Sequence, residues 1–121
     1  MQITQPVLNC IGACTRCLQL CKACADDCEE MGGMDACVRL CLQCADCCSD
    51  HAKSIHVGEL HHQDRCIRIC EECATECEKY SRRLEVCRRT AESCWKCAEM
   101  TRRANSAQVF EVPITAGMNP Q

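Results

Sequence analysis

Aromatic residues are almost missing from this chain. Its 121 residues include one Trp, one Tyr and one Phe, which excludes a core built on aromatic bulk. No apolar run approaches the ~20 residues of a membrane span, so no membrane partner is expected. Positive charge is not in excess either. The net charge of −3 leaves no electrostatic case for nucleic acid. Arg82, Arg83, Arg88, Arg89, Arg102 and Arg103 are interleaved with Glu85, Glu92 and Glu99 and read as a solvated helix face. The start, Met1-Gln2-Ile3-Thr4-Gln5-Pro6, has neither the basic nor the apolar region of a secretory leader, and no twin-Arg pattern. A cytoplasmic location is expected, where thiols stay reduced and cysteine clusters usually mean metal.

Cysteine fills the gap. There are 18, and they inflate the hydrophobic fraction of 47%, so little large apolar material remains for a core. The first row is Cys10, Cys14, Cys17, Cys21, Cys24 and Cys28. Its steps alternate four and three, the spacing of a helix whose seam faces partner helices. Thr4 can cap this helix and Pro6 fits its first turn. Met31-Gly32-Gly33-Met34 breaks it. Asp35 is a good N-cap for a second helix, whose seam reads Cys37, Cys41, Cys44, Cys48, His51 and Ile55, with Cys47 beside it. After a short turn at His56-Val57-Gly58-Glu59, a third helix carries His62, Cys66, Cys70, Cys73, Cys77 and Tyr80. A tight turn near Ser81-Arg82 leads to a fourth, with Cys87, Ala91, Cys94, Cys97 and Thr101.

Four helices of roughly 20 residues with short connections predict an all-α fold, an antiparallel up-down-up-down four-helix bundle with a Cys-lined core. The bundle is assigned to residues 1–104. Residues 105–121 lose the period, contain Pro113, Gly117 and Pro120, and are expected to be an extended or disordered tail. This topology collects His51, Ile55, His56, His61, His62, Met100 and Thr101 at one end. Met31, Met34, Tyr80 and Leu84 plug the other. Ile11, Leu18 and Ala25, with Val38, Leu42 and Ala45, flank the core or form an oligomer interface.

Several uses of the sulfur fit the sequence less well, with a thiol redox or electron-transfer protein kept as the alternative of another class. Neighbours at i,i+3 and i,i+4 have Cβ atoms roughly 5–6 Å apart, whereas a disulfide wants about 3.8 Å. Cysteine as filler sacrifices apolar burial at almost every layer. Iron–sulfur clusters need loops that wrap them, and a continuous helix cannot converge four thiolates on one cubane. A thiol redox or electron-transfer protein needs a reactive pair in a loop or at a helix N-terminus, and none stands out. Metal binding fits best, and no catalysis is expected. Zinc in tetrathiolate sites, for storage or detoxification, is one reading, but each such site carries a formal −2 that is costly to bury repeatedly. Cu(I) is soft and singly charged, and one ion per thiolate leaves the core near neutral. His51 and His62 continue the sulfur seam and suit a mouth that passes copper to Cys10, Cys48 and Cys66.

The rows Cys10-x3-Cys14-x2-Cys17-x3-Cys21-x2-Cys24-x3-Cys28, Cys37-x3-Cys41-x2-Cys44 and Cys66-x3-Cys70-x2-Cys73-x3-Cys77 resemble those of the bacterial copper storage proteins. The resemblance spans Cys10 to Cys97 and looks like the cytosolic branch. It implies storage of many Cu(I) ions per chain, an oligomer of bundles (a homotetramer) and histidines near the open end. The fourth helix departs from a full row, with only Cys87, Cys94 and Cys97.

Overall fold

The computed structural model describes the backbone of residues 4–56 and 63–117 and the side chains of 4–55 and 63–106. Four helices follow one another: α1 (Gln5–Met31), α2 (Asp35–His56), α3 (Gln63–Glu78) and α4 (Glu85–Gly117).

Each boundary has a local cause. Thr4 is extended and stands at the N-cap of α1, with Pro6 in the first turn, though the Thr4 hydroxyl makes no capping bond. Gly32 ends α1 at φ 78°, donating its N–H to Cys28 O at 3.1 Å, and Gly33 follows at φ 76°. Only glycine takes two such residues in succession without strain. Asp35 is the first residue of α2 rather than its cap, and its carboxylate still meets the positive end of the helix dipole. At the end of α3 the bonds tighten to i→i−3, Lys79 N–H to Glu76 O and Tyr80 N–H to Cys77 O. Residues 79–84 then turn, as expected near Ser81-Arg82, with the Arg83 guanidinium over the Tyr80 ring.

α4 departs from expectation. The backbone stays helical past Asn105 to Gly117, where an extended or disordered tail was expected. Between Ala104 and Pro113 no glycine or proline stops a helix that is already propagating. The turn expected at His56–Glu59 lies outside the described residues, apart from His56 closing α2.

α1 packs on α2 and α4, and α3 packs on the same two, while the diagonal α2 and α4 meet only through core side chains such as Cys48 and Cys97, 3.8 Å apart, and Cys44 and Cys94, 3.9 Å apart. Neighbours run antiparallel. Cys14 faces Cys97 while Cys28 faces Cys87, and Cys48 faces Cys70 while Cys37 faces Cys77. The result is the antiparallel four-helix bundle. Small residues beside the seams, Ala25, Ala45, Ala74 and Ala98, are buried and let the helices approach. Val7 and Ile55 are buried toward the His51 end, Met34 is buried at the other, and Tyr80 and Leu84 are partly buried against the core. Met31 is exposed, so it is not part of that plug. Ile11, Leu18 and Val38 flank the core, Ala25 and Ala45 belong to it, and Leu42 faces outward. No described helix is long and apolar enough to cross a membrane.

Candidate metal centre

All 18 cysteines are free thiols and all are buried. The alternating four-and-three spacing puts each row on the inner face of its helix, and four inner faces enclose a sulfur-lined tube. At one end Cys10 Sγ lies 3.5 Å from His51 Nε2 and 3.5 Å from Thr101 Oγ1. The next layer is Cys14, Cys48, Cys66 and Cys97, whose sulfurs all lie within 4.8 Å of one another. Further in, Cys17 Sγ lies 3.8 Å from Cys21, 3.7 Å from Cys44 and 3.6 Å from Cys94. Cys44 meets Cys70 at 3.7 Å, and Cys41 meets Cys73 at 3.7 Å and Cys77 at 3.8 Å. At the far end Cys28 lies 3.9 Å from Cys37 and 3.7 Å from Cys87, with Cys24 3.8 Å from both Cys28 and Cys87. Cys47 is buried at the edge of the tube on the Cys66 side, where the Cys66 thiol and then burial push its pKa up.

These separations match metal–thiolate geometry. A metal–sulfur bond of about 2.3 Å puts sulfurs about 3.8 Å apart around a tetrahedral ion and about 4.0 Å apart around a trigonal one. The nearest thiol contacts, between 3.5 and 4.0 Å, bracket these values, and the sulfurs of each four-thiol group lie within 4.8 Å of one another. The four-thiol groups also share members. Cys17, Cys48 and Cys97 each belong to at least two groups, as do Cys24 and Cys37. A tube of overlapping sites suits bridging thiolates better than separate tetrahedra.

Without metal the row cannot ionise all at once, because like charges this close oppose each other. Neighbours therefore split. Cys10 is pulled down to about 5, chiefly by the neighbouring Cys14 thiol, with His51 and Thr101 helping against the cost of burial. Cys14 is pushed up, first by the neighbouring Cys10 thiol. Cys17 is lowered by the hydrogen bond from Cys21, and Cys21 is raised for the same reason. One cation per thiolate would remove the conflict.

His51 is fully buried on the α2 seam. Burial opposes its charge, but the Cys10 thiolate and the Cys66 charge outweigh this and raise its pKa. Its Nδ1 is buried with no hydrogen-bond partner among the described residues. His62 lies outside the described residues. The residue that continues the α3 seam is Gln63, buried, with its Nε2 also unpartnered among the described residues. Strict alternation back from Cys70 and Cys66 lands on Gln63, so this was available in the spacing. Thr90 was not anticipated. It is fully buried in the thin sulfur row of α4 and donates its hydroxyl to Leu20 O at 3.3 Å.

Fold and site together define a cysteine-lined four-helix bundle of the metal-binding class. The family described as Csp, copper storage protein, matches residues 3–106. The chain belongs to that copper storage protein family. A solved structure titled "Cu(I)-bound Copper Storage Protein BsCsp3" is similar to it, at 33% identity and a TM-score of 0.73 over 81% of this chain and 96% of the other. No curated protein matches the sequence.

Proposed function

We propose that the protein stores and buffers many Cu(I) ions in the cytoplasm, without catalytic turnover, as an assembly of copies of this chain. The metal-holding unit is the bundle of residues 1–104. Its ligands are the 18 cysteines of the tube, with His51 and His62 at the mouth beside Cys10. The observation that carries this reading is the overlap of buried four-thiol groups along the tube, one run from Cys14 to Cys94 and another from Cys24 to Cys87. Each thiolate that binds Cu(I) is neutralised by one charge, whereas each zinc tetrathiolate leaves a buried −2. Anaerobic titration of the reduced metal-free protein with Cu(I) against a competing chelator tests the reading. Binding of more than about ten ions per chain, resisting exchange with zinc, is expected. Saturation near about four ions with zinc preferred would indicate separate tetrathiolate sites instead.

A further inference from the structure

The seams repeat by heptads, so the tube is built in layers, and the layers differ in what they offer a metal. Cys17 on α1 meets Cys44 on α2 at 3.7 Å and Cys94 on α4 at 3.6 Å, and Cys44 meets Cys70 on α3 at 3.7 Å. Every wall of that layer is sulfur. About two turns along each helix, one heptad, lead to the equivalent layer. Inward it is Cys24, Cys37, Cys77 and Cys87, sulfur on every wall again. Outward it is Cys10, His51, Gln63 and Thr101. The contacts keep that register, since Cys10 Sγ lies 3.5 Å from both His51 Nε2 and Thr101 Oγ1.

The outer layer has therefore given up sulfur on α2, α3 and α4. Exposure to water does not explain the exchange, because Cys10, His51 and Thr101 are fully buried and Gln63 is 6% exposed. Hydroxyl and carboxamide oxygens are hard donors and poor partners for a soft ion. What remains for copper is the Cys10 thiolate and the His51 imidazole. Thr90, the hydroxyl deeper on α4, donates to Leu20 O at 3.3 Å, whereas the Thr101 hydroxyl faces Cys10. The Gln63 Nε2 is buried with no hydrogen-bond partner among the described residues, a cost that a cysteine there would avoid. Immediately inside, Cys14, Cys48, Cys66 and Cys97 bring their sulfurs within 4.8 Å of one another. Such a set holds zinc as well as copper. A filter against zinc is useful only outside it.

We infer that the layer of Cys10, His51, Gln63 and Thr101 is a selectivity filter for metal entry, and that Gln63 and Thr101 make it one by withholding ligands. Cu(I) accepts two ligands, and Cys10 and His51 supply them from adjacent helices. Zn(II) asks for a tetrahedral set. It finds half of one and is not held long enough to pass to Cys14. Discrimination comes from what the layer denies the competitor. The inference rests on the proposed copper storage and names the residues that keep zinc from entering the tube.

The experiment gives the layer its missing ligands. Gln63→Cys/Thr101→Cys leaves three cysteines and one histidine there, the composition of a structural zinc site. The reduced, metal-free full chain is mixed with Cu(I) buffered by a Cu(I)-selective chelator, with and without excess Zn(II). Loading is followed by stopped-flow ultraviolet absorption, with helix content and copper per chain at saturation measured on each variant. Zinc is expected to change the wild-type loading rate by less than about twofold and to slow the double variant by at least about tenfold. Thr101→Val, which removes the hydroxyl without adding a ligand, is expected to load in zinc as wild type does. Wild type slowed by zinc as much as the double variant, a folded double variant indifferent to zinc, or a zinc-sensitive Thr101→Val variant would each overturn the inference. A low copper count at saturation would instead overturn the storage reading, whereas a full count with zinc-slowed wild type would overturn the filter alone.

Discussion

Cys17 sits where two four-thiol groups overlap, one with Cys48, Cys70 and Cys97 and one with Cys21, Cys44 and Cys94. Cys47 sits at the edge of the tube against Cys66. Replacing each with alanine separates shared from peripheral ligation. In the metal-free protein the two changes delete the same buried atom. Each is expected to cost roughly 1–1.5 kcal/mol from lost transfer energy and a small cavity, a drop of several °C in Tm for a chain of this size. Filled with copper they differ. Cys17→Ala removes a ligand from two groups at once and is expected to lower capacity by about two ions, and Cys47→Ala by about one at most. The assay is metal per chain after desalting from a chelator-buffered Cu(I) solution, with a melting curve for both states. Equal capacities, or a larger loss in Cys47→Ala, would refute the idea that overlapping thiol groups hold the metal.

Other outcomes follow from the same geometry. His51→Ala should slow loading from a weak Cu(I) donor while lowering final capacity by about one ion at most, followed by stopped-flow ultraviolet absorption; an unchanged rate would remove His51 from the entry route. Stripping copper should lower Tm sharply. A ligand at ~1,000 times its Kd adds about 4 kcal/mol per site to the folded state alone, so differential scanning calorimetry should resolve filled and empty forms by well over 10 °C. Gly32→Ala should destabilise the empty protein by about 1 kcal/mol through its positive φ without changing copper capacity, as denaturant melts and metal counts would show.

Much of the architecture is written in the spacing of the cysteines. A four-and-three alternation maps to one helix face whatever the residue type, so Cys10 to Cys28 on α1 and Cys66 to Cys77 on α3 identify seams as clearly as leucines would. The turn at 79–84 was legible without glycine or proline because both flanking rows must fit an antiparallel bundle. The seam beyond Cys66 was read by the chemistry of His62, while the period alone points to Gln63. The continuation of α4 past Asn105 was missed because loss of the core period was taken as loss of helix. Helical backbone needs no inward stripe to continue, only the absence of a stop before Pro113. Thr90 carries no sequence signal of its own; its role depends on Leu20 O lying across the α1/α4 contact.

The central claim is that copper lies along the whole tube, held by sulfur. Anomalous scattering at the copper edge from crystals of the Cu(I)-filled protein tests it most directly. The account predicts a line of copper peaks from the level of Cys10 to that of Cys28, each within bonding distance of two or three cysteine sulfurs. Peaks confined to the His51 end, or copper held on the surface with the inner thiols unbound, would contradict it.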